Sequence, residues 1–249
     1  MVDKVKSKSK GLSMDSSVVH SGVSTQEQSD CFSHVPLFPL SRSYVDSTEL
    51  GEAQAYTAAV ELFRQGNKPD GVFFIERGLV KLVRVEKGGS ELIVRVSERG
   101  AFLGAESVII EEAYPVTATT LTTSSFRRIS APAFRKLLMQ NSSLSWHLHQ
   151  AHSHEISDQM IRVAQLGCSS ARTRFEELIW QLILTMELNL SASEIRLDMP
   201  LRNWEIAELI AVTPEHFSRM PREMETEGVL RRHKGWLIFS TAHWVQLRT

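Results

Sequence analysis

The chain has few cysteines, almost no net charge and no long apolar segment, and each absence excludes a class of protein. Cys31 and Cys168 are the two cysteines among 249 residues, too few for a disulfide scaffold, a four-cysteine zinc site or an all-cysteine iron–sulfur cluster within one chain. No apolar run approaches the roughly 18 residues of a membrane span, and the N-terminus lacks the apolar core of a secretory signal. The formal net charge of −1 requires any nucleic-acid contact to use a local basic surface. We expect a cytoplasmic protein without a membrane partner.

The first part of the chain is polar and poor in apolar residues. Residues 1–35 combine alternating lysines, from Lys4 to Lys10, with many serines. Such a stretch buries too little apolar area to offset its ordering entropy. The composition predicts a disordered tail over 1–35, with a DNA-contacting basic arm as the alternative.

Short β-branched or aromatic runs, separated by glycine-containing turns, fill the segment from about Val45 to Ile129. The runs cover Val72–Ile75, Leu79–Val85, Glu91–Val96 and Thr117–Ser125. Strands of this length and spacing predict a sandwich or a rolled barrel, and nothing in the pattern indicates a parallel nucleotide-binding sheet. The same segment contains no histidine, which argues against a metal-dependent barrel enzyme of the cupin type.

Helical patterns follow the strands. A short helix is predicted over Ala131–Leu138 and a longer one over Leu144–Leu166, ended by Gly167. Six apolar residues recur on the longer helix at steps of three or four, with one irregular step: Leu144, Leu148, Ala151, Ile156, Met160 and Val163. A narrow apolar stripe on a helix of roughly 34 Å is typical of a two-stranded coiled coil, so we predict a dimer helix.

The dimer helix also contains four histidines, which raise the question of a metal or pH sensor. These are His147, His149, His152 and His154. No two of them stand four residues apart, so we expect a polar helix face and no metal. Cys168, at the end of this helix, allows a redox switch, but we expect a small buried apolar residue.

Residues Trp204–Met220 have the spacing of a helix-turn-helix unit. Ala207 stands where two helices would cross and Ala211 falls in the turn. Thr213 is a favourable N-cap and Pro214 suits the first helical position, so the second helix has a defined start. The second helix of such a unit enters the major groove of DNA by its N-terminal residues.

The second helix would present Glu215, Ser218 and Arg219 on one face. Arginine pairs with guanine, glutamate accepts from cytosine and serine is permissive, so these are the predicted base-reading residues. The alternative is that Glu215 and Arg219 form a solvated ion pair on an ordinary helix. Residues 231–239 predict a basic hairpin, or wing, and phosphate contacts are expected from Thr213, Arg222, Arg231, Arg232 and Lys234.

Pro221 lies inside the predicted recognition helix. Its ring removes the hydrogen bond to the Phe217 carbonyl and crowds that oxygen, at a cost of ~3 kcal/mol or a kink. Because the base-reading residues precede Pro221, the reading face is expected to survive. The alternative is a sensor or protein-interaction module whose degenerate winged helix no longer reads DNA specifically.

Over about residues 45–245 the chain resembles the CRP/FNR family of transcription regulators. The resemblance rests on Phe63–Asn67 and Phe74–Gly78 in the strand-rich segment, on Phe102–Glu106 at the family's cassette position, and on Glu215–Arg219. The last is similar to the E-x-x-S-R pattern of the FNR branch, whose half-site is TTGAT-like. Pro214 stands where the cyclic-AMP branch has an arginine, which argues against that branch's GTGA-type half-site.

The resemblance implies an α+β fold with an N-terminal cyclic-nucleotide-binding-type β-roll, a long dimerisation helix and a C-terminal winged helix-turn-helix. The expected divisions are a tail over 1–35, the roll over 36–138, the dimerisation helix over 139–168 and the DNA-binding domain over 169–249. The implied function is that of a homodimeric transcription regulator, not an enzyme. Its expected partners are double-stranded DNA and RNA polymerase.

The same comparison predicts that the roll does not bind a cyclic nucleotide. Cyclic-AMP receptors hold the phosphate with a cassette glutamate and a later Arg-Ser pair, and here Pro115 and Val116 stand at the place of that pair. Neither residue neutralises a phosphate, and proline lacks even a backbone N–H. The cysteine-held iron–sulfur cluster of oxygen-sensing members is not expected either, because the N-terminal region offers only Cys31. We therefore predict no cofactor.

Overall fold

The structure is a computed structural model that describes residue 50 and residues 52–242. The predicted tail over 1–35 and Cys31 lie outside the described residues. The strands are β1 (Ala53–Tyr56), β2 (Glu61–Phe63), β3 (Gly71–Arg77), β4 (Val80–Val85), β5 (Glu91–Ser97), β6 (Phe102–Leu103), β7 (Thr117–Thr120), β8 (Ser124–Ser130), β9 (Glu194–Asp198), β10 (Leu230–His233) and β11 (Trp236–Ser240). The helices are α1 (Ala105–Ile110), α2 (Ala131–Gln140), α3 (Ser142–Cys168), α4 (Ala171–Thr185), α5 (Asn203–Leu209) and α6 (Pro214–Thr226).

The first eight strands form two antiparallel sheets that face each other. Their strand orders are β1-β8-β3-β6 and β2-β7-β4-β5. Aromatic side chains fill the space between the sheets, and Phe73 and Phe126 meet there edge to face, with ring centroids 6.3 Å apart. This arrangement confirms the predicted β-roll.

The threonine-rich run over 117–125 is two strands, whereas the sequence predicted one. β7 pairs with β2 and β4, and β8 pairs with β1 and β3. The chain changes sheets at Leu121 and Thr122, which bond the backbone of Leu79: Leu121 N donates to the Leu79 carbonyl (2.8 Å) and Thr122 Oγ1 accepts from Leu79 N (3.0 Å). A strand that switches sheets is how such a structure turns a corner.

The long helix α3 extends slightly beyond its predicted bounds and contains Gly167 rather than ending before it. Asn141 caps its start, because the Asn141 side chain accepts from Leu144 N at 2.9 Å. The predicted role of Leu144 and Leu148 in dimerisation is wrong for this chain. Both side chains are buried within the chain itself, and Leu148 belongs to the apolar cluster that α1 and α2 form with β3.

The C-terminal part is a winged helix-turn-helix built from α4, α5 and α6 with the sheet β10-β11-β9. Its core is continuous with the outer face of β4 and β5, where Val83 and Ile93 lie in the same apolar cluster as Phe175 and Ile206. The helix-turn-helix is thus packed directly on the roll. Within the described ranges, no helix has both the length and the apolarity that crossing a bilayer requires.

Candidate nucleic-acid interface

The turn between α5 and α6 is closed by a pair of backbone hydrogen bonds. Ala211 N donates to the Glu208 carbonyl (3.0 Å) and Val212 N donates to the Ala207 carbonyl (2.9 Å). This is the Schellman arrangement, which places its central residue in the left-handed region. Ala211 accordingly has φ +52°, the conformation for which glycine is preferred. Ala207 is buried in the core, as its predicted position at the helix crossing requires.

The start of α6 is fixed by the two residues that the sequence indicated. Thr213 Oγ1 accepts from His216 N at 3.2 Å, and Pro214 occupies the first turn. Phe217 packs the helix onto α4, where its ring meets that of Phe175 edge to face at 5.3 Å. These contacts set the direction in which α6 presents its exposed face.

The three predicted base-reading residues, Glu215, Ser218 and Arg219, are all exposed in the first two turns of α6. The backbone N–H of Glu215 and the hydroxyl of Thr213 hydrogen-bond the Glu215 carboxylate and lower its pKa, so it remains an acceptor. Ser218 Oγ donates to the Glu215 carbonyl at 2.9 Å. Within the described part of the chain, Glu215 and Arg219 do not pair with each other, so the predicted alternative of a solvated ion pair is not what the structure shows.

Pro221 lies inside α6, which remains helical through Thr226. Its side chain is buried and lines a cavity of about 390 Å³ between α6 and the wing. The base-reading residues lie before it in the helix, as the sequence indicated.

The wing is the β10–β11 hairpin, whose two turn residues are Lys234 (φ +48°) and Gly235 (φ +89°). Two successive residues with positive φ form the tight turn that matches the twist of a hairpin. The neighbouring arginines point to opposite sides of the sheet. Arg231 pairs with Glu194 of β9 at 2.9 Å, whereas Arg232 pairs with Glu225 of α6 at 2.5 Å. The Arg231–Glu194 pair is exposed and Glu225 is half-buried beside an exposed Arg232, so water screens both pairs and neither contributes much to stability.

The outer face of the wing sheet adds a cation that sequence reasoning missed. Arg196 of β9 lies with Arg231, Lys234 and Trp236 around a cavity of about 540 Å³. Buried and exposed residues alternate along β9, which places Arg196 on the outer face. This alternation is visible in the sequence itself. What the sequence did not show is that β9 pairs with β11 and so brings Arg196 beside the wing.

In the described part of the roll, the two positions that correspond to the family's phosphate-binding Arg-Ser pair carry no charge. Pro115 is exposed, and Val116 is buried in the apolar core. Arg95 of β5, 9% exposed, is instead the buried cation, and it forms an ion pair with Glu155 of α3. Burial lowers the pKa of Arg95 to about 10, while Glu106 and the other carboxylates nearby oppose that shift.

Three carboxyl groups near Arg95 differ in exposure: Glu98 is buried, Asp158 is half-buried and the side chain of the cassette glutamate, Glu106, is exposed. Burial raises the pKa of Glu106, of Glu98 and of Asp158, and the charge of Arg95 opposes the shift in each case. Together with Glu155, four carboxyl groups therefore face one arginine. Pro115 and Val116 offer no charged group to a cyclic phosphate, and Arg95 already pairs with Glu155.

The histidines and the cysteine of α3 differ in their surroundings. Burial, helped by Arg95 and His149, lowers the pKa of His152. Among the described residues, no group of three or more potential metal-ligating side chains is arranged around one point. Cys168 is exposed, so the expectation of a buried apolar residue is wrong. The last three residues of α3, from Leu166 to Cys168, are all exposed.

The C-terminal half of α3 leaves apolar side chains uncovered. Ile156 is 57% exposed, and Met160 and Val163 are each 69% exposed. Leu166, which was not among the predicted stripe residues, is also exposed, while Ala151 is half-buried. Large apolar side chains exposed along one helix are typical of an interaction surface.

Comparison with known proteins agrees with this architecture. The family model of the cyclic nucleotide-binding domain matches residues 53–141, and that of the Crp-like helix-turn-helix domain matches residues 178–242. The transcriptional activator protein FnrA of Stutzerimonas stutzeri is 28% identical over 68% of this chain and 68% of its own length. The transcriptional activator protein anr of Pseudomonas aeruginosa is 28% identical over 81% of this chain and 83% of its own length.

Solved structures share the fold. FixK2 from Bradyrhizobium japonicum superposes with a TM-score of 0.65 and 16% identity, covering 80% of this chain and 97% of FixK2. A CRP/FNR-family transcriptional regulator from Thermus thermophilus gives a TM-score of 0.63 and 20% identity, covering 79% of this chain and 98% of that regulator.

The fold and the two matched domains define a transcription regulator that joins a cyclic-nucleotide-binding-type domain to a Crp-like helix-turn-helix domain. The chain belongs to the CRP/FNR family.

Proposed function

We propose that the protein is a homodimeric regulator that reads a TTGAT-like palindrome without a cyclic nucleotide. The observation that carries the proposal is the exposed face of α6, where Glu215, Ser218 and Arg219 stand free of packing at the N-terminal end of the second helix. This is the part of a helix-turn-helix that contacts base edges in the major groove. The proposed partners are double-stranded DNA and, at promoters, RNA polymerase, and the proposed location is the cytoplasm.

Each residue of the proposed interface has a role that follows from its chemistry. Arg219 would donate two hydrogen bonds to a guanine, and the ionised Glu215 would accept from the cytosine amino group on the opposite strand. Ser218 would assist at a neighbouring thymine. The proposed phosphate contacts are Thr213, Arg222, Arg231, Arg232, Lys234 and, from the outer face of the wing sheet, Arg196.

Dimerisation is proposed from the uncovered stripe of α3. Ile156, Met160 and Val163 recur at steps of four and three, which is the spacing of a coiled-coil seam. Two chains joined along α3 by a two-fold axis would present two recognition helices to half-sites one helical turn, roughly 34 Å, apart. A palindromic site is the DNA counterpart of that symmetry.

The absence of a cyclic-nucleotide requirement is proposed from the roll interior. Arg95 already has a partner in Glu155, and further carboxyl groups surround it. Pro115 and Val116 supply no phosphate contact. Calorimetry of the purified protein should therefore detect no micromolar binding of cyclic AMP or cyclic GMP, and such binding would contradict this part of the proposal.

The experiment that tests the DNA proposal is binding of the ligand-free protein to a TTGAT-N4-ATCAA duplex and to a scrambled duplex of the same composition, at near-physiological salt. We expect selective binding that is lost in Arg219→Ala. A matched control is Arg64→Ala, which removes an exposed arginine and its ion pair with Glu61 on the roll and should bind like the wild type. Equal affinity for both duplexes would instead support the alternative function, a sensor or protein-interaction module whose winged helix no longer reads DNA specifically. The observation that favours this alternative is Pro221 inside α6.

A further inference from the structure

Strand β5 contains a register irregularity next to Arg95. Leu82 of β4 pairs with Arg95 and Val83 pairs with Ile93, so Val94 has no counterpart on β4. Such a bulge changes the side to which the following residues point. Ile93 lies in the apolar cluster outside the roll, whereas Val94 packs against the cluster inside it.

Inside the roll, Arg95 connects β5 to α3. Its guanidinium forms the ion pair with Glu155, while its Nε has no hydrogen-bond partner among the described residues. A buried charge depends strongly on its ion-pair partner, and Glu155 is the carboxylate that the Arg95 guanidinium contacts directly. The position of β5 relative to α3 is therefore tied to this pair.

On the outer side of the roll, the antiparallel pair of strands β4 and β5 contacts α5, the first helix of the helix-turn-helix. Glu208 Oε2 of α5 accepts from Ile93 N at 3.2 Å. Lys81 of β4 pairs with the buried Glu205, which also accepts from Arg202 N at 2.7 Å at the start of α5. α5 is thus anchored to the roll through two of its carboxylates.

Arg162 of α3 joins the two sets of contacts. Its guanidinium donates to the Val94 carbonyl of β5 and to the Leu209 carbonyl of α5, each at 3.2 Å. The bulged residue, the long helix and the end of α5 therefore meet at one side chain. A continuous series of contacts runs from the roll interior to the helix-turn-helix.

We propose that β5 couples the roll interior to the helix-turn-helix, and that the ion pair between Arg95 and Glu155 holds β5 where α5 docks on it. The ion pair is a fixed internal connection between α3 and β5 that needs no bound effector. Arg95 and Glu155 act as positioning residues, since neither lies on the proposed DNA-reading face. The consequence for DNA binding rests on the proposed function, but the coupling itself does not.

The test substitutes the ion-pair residues inside the roll and measures hydrogen exchange at the contact between β5 and α5 outside it. In the full-length protein, Glu155→Gln and Arg95→Ala should each speed hydrogen exchange of the Ile93 amide, the donor to Glu208, by roughly tenfold or more. The matched control Arg64→Ala removes an exposed ion pair between Arg64, which follows β2, and Glu61, and should leave that rate unchanged. Guanidinium chloride at millimolar concentration, against sodium chloride of equal ionic strength, should restore protection in Arg95→Ala.

Wild-type exchange at Ile93 in a folded Glu155→Gln protein would overturn the coupling, whatever becomes of Arg95→Ala. As a second readout, Glu155→Gln should lower affinity for the palindrome more than affinity for a single half-site. If the wild type shows no preference for the TTGAT duplex, the proposed function fails, while the exchange rates at Ile93 still decide the coupling.

Discussion

At the scale of single residues, two positions in the helix-turn-helix have backbone conformations or missing hydrogen bonds that lower the free energy of unfolding. Ala211 adopts φ +52° in the turn, a conformation that costs an L-residue about 1–2 kcal/mol. Ala211→Gly removes that cost but adds the entropy of a more flexible unfolded chain, about 0.5–1 kcal/mol. We expect a net gain of roughly 0.5–1 kcal/mol in the free energy of unfolding, measured by urea denaturation.

The control for that substitution is Ala207→Gly, which makes the same chemical change in the buried, helical part of α5. It should lower the free energy of unfolding by about 1 kcal/mol, because glycine is a poor helix former. Opposite signs at the two positions would locate the cost at the turn. A loss of stability in Ala211→Gly would show that its left-handed conformation is not strained.

The second position is Pro221, which removes one hydrogen bond from the interior of α6. Pro221→Leu should raise the free energy of unfolding by about 2 kcal/mol, since the helix recovers the bond to the Phe217 carbonyl while the unfolded chain gains some freedom. The cavity beside Pro221 provides room for the larger side chain. Thermal unfolding measures the gain, and binding to the TTGAT duplex should keep its preferred sequence because Arg219 precedes Pro221 and its side chain is exposed. A large loss of specificity would contradict this account.

At the scale of elements, the recognition helix and the wing should contribute different quantities to DNA binding. Arg219→Ala should cost ~1–3 kcal/mol on the preferred duplex and relax the sequence preference at one base pair of each half-site. Lys234→Ala should weaken binding to every duplex alike and reduce the slope of log affinity against log salt by about 1 for each phosphate that is no longer neutralised.

Lys234→Ala keeps a Cβ at the position with φ +48°, so the turn geometry is the same in both proteins. Titrations of the two variants against preferred and scrambled duplexes at several salt concentrations separate the two effects. The assignment of roles would be wrong if Lys234→Ala changed base preference, or if Arg219→Ala weakened all sequences equally.

The elements were largely predictable because their causes are local in the chain. Thr213 and Pro214 define the start of α6, and the alternation of apolar residues defines the strands of the roll. The docking of α5 on the roll was not predictable. Glu208 and Ile93 are separated by 115 residues, and no local pattern in either segment indicates that the two residues form a hydrogen bond. The pairing of Arg95 depends on a bulge in β5, which single-residue patterns do not reveal.

The apolar stripe on α3 is a second case in which the sequence did not identify the packing partners. The period of the stripe correctly indicated an apolar face, but the chain itself covers only the first part of that face. Leu144 and Leu148 pack inside the chain, while Met160 and Val163 remain exposed. Periodicity identifies which side chains avoid water, and it does not identify the surface that covers them.

At the scale of the whole molecule, α3 connects the roll, the proposed dimer interface and the helix-turn-helix. Its N-terminal half packs on the roll through Leu148, its middle holds Glu155 against Arg95, and Arg162 reaches α5. A change in how two chains pair along α3 would therefore act on the position of both recognition helices. In the proposed dimer, the pairing of the two chains and the orientation of the helix-turn-helix would therefore depend on the same helix.

The corresponding prediction is that Met160→Glu produces a monomer. Met160 is exposed in the middle of the proposed seam, where a two-fold axis would bring two like charges close together in a poorly solvated interface. The matched control is Met139→Glu on α2, which introduces the same charge at an even more exposed methionine outside the seam. Light scattering should give the mass of one chain for Met160→Glu and of two chains for Met139→Glu. Because a dimer binds its second half-site intramolecularly, Met160→Glu should lose affinity for the palindrome by about 10²-fold or more while keeping its affinity for a single half-site. A dimer in both variants would place the interface elsewhere on the molecule.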